Sequence, residues 1–103
     1  MAPRVFGNVV IEGEAPTIKL YSSAIQQLLD TTAGERRYDS IQSGISYRDD
    51  ENPKFAAEAA ALFAWRSAVW TYADAELAKV ETGERPVPTI AEFLAELPSI
   101  DWP

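Results

Sequence analysis

The chain contains no cysteine and no histidine. Without cysteine there is no disulfide framework, thiolate metal site or thiol nucleophile. Without histidine the Ser-His and Cys-His triads, the commonest general base and most transition-metal sites are also excluded. Positive charge is scarce: 9 Lys and Arg stand against 16 Asp and Glu, for a net charge of −7. A sequence-independent nucleic-acid binder needs a basic surface, so that class is set aside and protein partners are expected. The acid is uneven, with seven acids and two bases from Asp74 onward. No uncharged apolar run approaches the roughly 18 residues of a membrane span, and the stretch Val5 to Ile11, broken by Gly7 and Asn8, is too short for a signal-peptide core. A soluble product, intracellular when made and without a membrane partner, is the expectation.

What is present fits one small domain: 103 residues, 47% of them apolar, with 3 Trp, 4 Tyr and 4 Phe to build a core. The chain is organised around the stretch between Asn52 and Gly83. Asn52 is a good N-cap, Pro53 suits the first helical position and Gly83 the position just past the end. Between them lie roughly 29 Ala-rich residues without Gly or Pro, about 43 Å of helix. Wound at helical pitch, Phe55, Ala59, Leu62, Val69, Trp70, Ala73, Leu77 and Val80 form a stripe, flanked by Phe63 on one side and by Trp65 and Tyr72 on the other. The opposite side carries Ala57, Ala60, Ala61, Ala64, Ser67, Ala68, Thr71, Ala75 and Ala78, a face small enough for water or a closely packed neighbour. Arg66 sits near the centre of the stripe. A buried guanidinium must be paired, so a structural ion pair is expected, with Asp39 as first partner and Asp30 as second.

The remaining elements are shorter. Val5, Phe6, Val9, Val10 and Ile11, then a turn at Gly13 and Pro16 and a second run Thr17 to Tyr21, predict a small β or extended arm over 1–21. A helical domain over 22–103 follows, opening at Ser22 or Ser23 with Gln26 in the capping-box position. Its first helix should stop between Ala33 and Arg36. Asp39, with Gln42, predicts the cap of a second short helix burying Tyr38, Ile41 and Ile45 and ending near Gly44. Thr89 and Glu92 form another capping box for a last helix, Ile90 to Leu97, ended by Pro98 and folded back on the long one. The fold class expected is therefore mainly α: one long central helix with three shorter helices packed on it and a small N-terminal β or extended arm.

Catalytic chemistry is sparse. Three consecutive acids, Asp49 to Glu51, lack the spaced oxygen ligands and central glycine of an EF-hand loop, and favour the positive end of the long helix instead. Asp30, Asp39, Glu58 and Glu76 could supply an acid/base pair, yet Glu58 and Glu76 are separated by roughly 27 Å along one helix, too far to act on one bond. No P-loop, dinucleotide fingerprint or nucleophile elbow occurs. No enzyme, cofactor or metal site is expected.

The run Tyr38-Asp39-Ser40-Ile41, then Ser46-Tyr47, Asn52-Pro53, Glu58-Ala59, Trp65-Arg66 and Val69-Trp70 resembles a domain of small tailed-bacteriophage proteins encoded near tail-fibre genes, across about residues 24 to 97. Trp70, Tyr72 and Leu77, followed by Ile100-Asp101-Trp102-Pro103, look like the end of tail-fibre assembly proteins. The resemblance implies a phage protein acting at the tail tip or fibre through protein contacts, as an assembly chaperone or a structural adaptor. Its place would be the host cytoplasm during assembly, or the virion tail. The partner implied is a tail-fibre or tail-tip protein, with self-association as a further expectation because such fibres are commonly trimeric. The arm either packs on its own helices or serves assembly, and Trp102 is either tucked into its own core or offered to a partner. If they serve contacts, the expected anchors are Phe6, Val9 and Ile11 in the arm and Trp102 near the end, since buried aromatic and aliphatic side chains dominate interfaces. The alternative is an acidic phage-encoded inhibitor mimicking nucleic acid, which needs acids in rows at phosphate-like spacing.

Overall fold

The computed structural model describes residues 17–103. The arm residues Phe6, Val9 and Ile11, and the hairpin expected around them, lie outside the described residues. Four helices follow in order: α1 (Ile18–Gly34), α2 (Ile41–Ile45), α3 (Pro53–Glu81) and α4 (Ile90–Glu96), with no strand among the described residues. The protein is mainly helical, and α3, at 29 residues, is its long element.

Both ends of α3 are set by the residues that mark them in the sequence. Asn52 accepts hydrogen bonds from the backbone N–H groups of Lys54 (2.9 Å) and Phe55 (3.4 Å) through its side-chain oxygen, and Pro53 opens the first turn. At the other end Gly83 has φ +82°. That left-handed geometry lets its own N–H reach Val80 O (3.2 Å) and the Glu84 N–H reach Lys79 O (2.9 Å), the two bonds of a Schellman stop.

The start of α1 differs from expectation. Thr17, read as the head of a short strand, is the N-cap, its hydroxyl accepting from Leu20 N (3.3 Å), so the boundary placed after residue 21 falls inside a helix. The reason is burial. Tyr21, Ile25, Leu29 and Ala33 recur every four residues and are all buried, a stripe that only a helix running through Ser22 and Ser23 can present. In α2 the cap is Ser40 rather than Asp39, its hydroxyl accepting from Ser43 N (3.1 Å), while Asp30 of α1 reaches across to accept from the Ile41 N–H (2.9 Å). At five and seven residues, α2 and α4 are too short to persist alone and depend on what they pack against.

α1 touches each of the other helices, and α2 lies against α3. α4 lies nearest α1 and meets α3 through long side chains: Trp65 Nε1 donates to Pro98 O (2.7 Å), Tyr72 Oη donates to Glu96 (2.7 Å), and the Tyr72 and Phe93 rings sit 6.2 Å apart. Arg85 closes the corner by bridging Glu76 on α3 (2.8 Å) and Glu96 on α4. Tyr21 ties α1 to the same corner, its buried hydroxyl donating to Pro88 O while its ring meets Phe93 edge-on at 5.5 Å. Tyr21→Phe strands that buried carbonyl without a donor, and urea unfolding should show a loss of about 1–2 kcal/mol.

The buried side of α3 runs along Glu58, Ala59, Leu62, Trp65, Val69, Ala73, Leu77 and Val80. Its centre is displaced toward Trp65 because the end of the chain covers that flank. Phe55 (37% exposed) and Phe63 (41%) are left in solvent, and Trp70 and Arg66 are half-buried at the edge. On the far side Ala57, Ala60, Ala64, Ser67, Ala68, Thr71, Ala75 and Ala78 are all exposed.

Candidate functional site

The turn after α1, the loop after α2 and the first turns of α3 enclose an open cleft of ≈ 550 Å³. Arg36, Arg37 and Lys54 supply its cations, Tyr38, Tyr47 and Phe55 its aromatic wall, and Glu35 and Glu58 its acids. Each reaches the cleft through a local feature of the sequence. Lys54 and Phe55 stand in the first turn that Asn52 caps. Tyr47 lies in the loop after α2, 5.6 Å from the Tyr38 ring and 5.5 Å from that of Phe55.

Arg37 owes its position to an unusual turn. The Arg37 N–H bonds to Gly34 O (2.9 Å) and the Tyr38 N–H to Ala33 O (3.3 Å), so α1 ends in the same Schellman pattern as α3. The left-handed residue of that pattern is Arg37 itself, at φ +75°. Glycine takes this conformation freely, whereas a side-chain-bearing residue is strained by about 1–2 kcal/mol. The chain has a glycine nearby, Gly34, but it ends the helix proper and does not occupy the strained position.

At the floor of the cleft lies Glu58, a carboxylate 2% exposed on the apolar side of α3. Arg36 Nη1 reaches it at 2.6 Å and Tyr38 Oη donates to it at 2.8 Å. Burial, the largest single influence, pushes the Glu58 carboxyl up. The bonds from Tyr38 and Arg36, with the charges of Arg36 and Lys54, outweigh it and hold the group below the usual carboxylate range. On the other side of the bond, burial and Glu58 push the Tyr38 phenol up to about 12. Glu58 is thus ionised and fully engaged. Arg36 also lies 4.4 Å above the Trp102 ring, whose Nε1 donates to Glu35 (3.4 Å).

Tyr38 depends on Gly44 for its seat. A Cβ on Gly44 would overlap Leu62 Cδ1 and come 3.3 Å from the Tyr38 ring. Gly44→Ala gains about 1 kcal/mol of helix propensity, yet the overpacking costs more, about 1–3 kcal/mol, so thermal unfolding should show a lower Tm.

The expected Arg66–Asp39 pair is not formed; the buried ion pair of the fold is Arg36–Glu58. Arg66 is half-buried beside Phe63, 5.7 Å from that ring, at the edge of the stripe where its guanidinium reaches water along its own stem. Asp39 is exposed, and Asp30, the second choice, holds the Ile41 and Gln26 donors instead. Trp102, read either as tucked into its own core or as an anchor offered to a partner, is half-buried against its own chain beneath Arg36. Glu58 and Glu76 work in separate clusters, Glu76 with Lys79 (2.9 Å) and Arg85. The signals missed were the Arg36-Arg37 doublet at a helix end and a glutamate set beside Ala59 on an otherwise apolar flank. Among the described residues no cluster of acids is placed to hold a metal ion, and no helix is long and apolar enough to cross a membrane. Comparison with protein family models, with curated proteins and with solved structures gives no match to this chain.

Proposed function

We propose that the protein works by binding another protein, as a tail-fibre or tail-tip associated factor of a tailed bacteriophage that assists fibre assembly or joins the fibre to the particle. The observation that carries the contact role is the cleft: exposed aromatic rings beside Arg37 and Lys54, which have no ion-pair partner among the described residues, in a chain of net charge −7. Aromatic side chains and arginine are enriched at interfaces, and a lysine beside them suits the polar rim. Glu58, the one strongly buried carboxylate there, is held ionised by its partners, which suits it to fix Arg36 and Tyr38 in place rather than to transfer a proton. The tail-fibre assignment rests on the motif resemblance from Tyr38 to Trp70.

The nucleic-acid-mimic alternative needs free acids in rows, whereas Glu58, Glu76 and Glu96 are tied to Arg36, Lys79 and Arg85. Co-expression with the tail-fibre gene, followed by size exclusion and mass spectrometry of purified virions, tests the proposal. A chaperone is required for soluble trimeric fibre and leaves; an adaptor stays in the particle. A fibre that trimerises and enters virions normally without this protein, combined with its absence from virions, sinks both forms.

A further inference from the structure

We infer that the cleft between the turn after α1 and the start of α3 is a receptor for an acidic peptide segment bearing an aromatic side chain, with Arg37 and Lys54 taking its carboxylates and Tyr47 and Phe55 its ring. The inference rests on the protein-contact reading above and specifies the chemistry of the partner.

The charge pattern comes first. Of the three cations in the cleft, Arg36 is committed to Glu58 at 2.6 Å and stacked on Trp102, while Arg37 and Lys54 are exposed and have no ion-pair partner among the described residues. Such an opening is unexpected in a chain where acids outnumber bases 16 to 9, because surplus carboxylates elsewhere could readily have supplied partners. The acids of the cleft offset it only in part: Glu58 is neutralised by Arg36, and Glu35, which accepts from the neutral Trp102 indole and keeps its charge, leaves three cations against two carboxylates. With one positive charge in excess, and with Arg37 and Lys54 in no ion pair among the described residues, the cleft attracts carboxylates.

Arg37 adds a second, independent argument. Its backbone occupies the left-handed position of a helix stop, where glycine would be unstrained. Strain of this kind persists where the side chain has work to do beyond the fold. With φ +75° the side chain is carried to the cleft rim, and no ion pair is made with it among the described residues.

The aromatic wall decides between ligands. Tyr47 and Phe55 are each 37% exposed and meet at 66°, an edge-to-face corner that accepts one ring or a branched aliphatic group. A nucleotide would prefer parallel faces and a glycine-rich phosphate cradle, and the cleft lining has neither. A short peptide with two acids flanking an aromatic residue meets both halves of the cleft.

The test pans a random-sequence peptide library on the full-length chain, then measures the enriched peptides by titration calorimetry, with ATP as a second probe. Enriched sequences should carry Asp or Glu next to Phe, Tyr or Trp. Arg37→Gly should weaken the best peptide about tenfold, the scale of a charge-assisted contact, while raising Tm. Lost binding with gained stability cannot come from misfolding. Lys54→Gln should weaken binding at unchanged Tm. The inference is overturned by no enrichment, by enrichment blind to acidic residues, by affinity indifferent to both substitutions, or by tighter binding of ATP than of any acidic peptide. Cleft binding without association to any fibre protein keeps the ligand class and discards the tail-fibre reading. Fibre association that survives Arg37→Gly and Lys54→Gln together discards the cleft and keeps that reading.

Discussion

Replacing Arg36 by methionine is expected to destabilise the protein by about 3 kcal/mol near neutral pH, the low end for breaking a buried pair because the Arg36 side chain is 34% exposed. The larger part of that loss comes from Glu58, which stays 3% exposed with Tyr38 as its remaining hydrogen-bond donor and Lys54 as the remaining nearby positive charge. The pH dependence should reverse as well. In the native chain the folded Glu58 carboxyl titrates below its unfolded value, so its contribution is complete above about pH 4.3 and is lost as pH falls through the folded value. In Arg36→Met burial dominates and the folded value lies above the unfolded one. Its contribution is then present below about pH 4.3 and lost as pH rises through the raised value. Urea unfolding at about pH 7 and about pH 4 should therefore show the gap between the two proteins closing on acidification. A loss under about 1 kcal/mol at both values would make Arg36–Glu58 an ordinary surface pair.

Phe93→Ala should be at least as severe, at about 3–5 kcal/mol. Phe93 is fully buried between Tyr21 and Tyr72, and it is the only fully buried side chain of α4, a helix of seven residues. A domain of this size has in total about 5–15 kcal/mol of stability. The variant should release α4 and the chain beyond it, which places Trp65, bonded to Pro98, in the reporting position. Trp fluorescence should shift to the red well before helical circular dichroism falls, because α3 keeps its contacts with α1 and α2. Loss of both signals together, at wild-type stability, would mean α4 is not held by this ring.

Elements whose signals are local were legible in the sequence. Asn52, Pro53 and Gly83 bracket α3 because cap, first-turn proline and left-handed stop each act within a few residues, and Thr89 with Glu92 forms the reciprocal capping box. The misreadings arose where a remote contact decides. Thr17–Tyr21 is rich in β-formers, yet burial of Tyr21 against Phe93 and Pro88, far along the chain, draws the segment into α1. Arg66 falls within the apolar stripe on a helical wheel, but which flank is covered depends on where α1 and the chain end lie, and they lie on the Trp65 side. The Arg36–Glu58 pair joins residues 22 apart and has no local signature. Arg37 ran against the available rule, since helix stops of this kind call for glycine.

The proposed contact role of the cleft is tested most directly by site-specific photo-crosslinking in cells that also express the proposed partners, a tail-fibre and a tail-tip protein. One crosslinker replaces Phe55 in the cleft, and a control replaces Val87, equally apolar and 40% exposed on the connection before α4. The expected result is an adduct with a fibre or tail-tip protein from position 55, absent from position 87 and abolished by Arg37→Gly. An adduct of equal yield from both positions, or from position 87 alone, would contradict it.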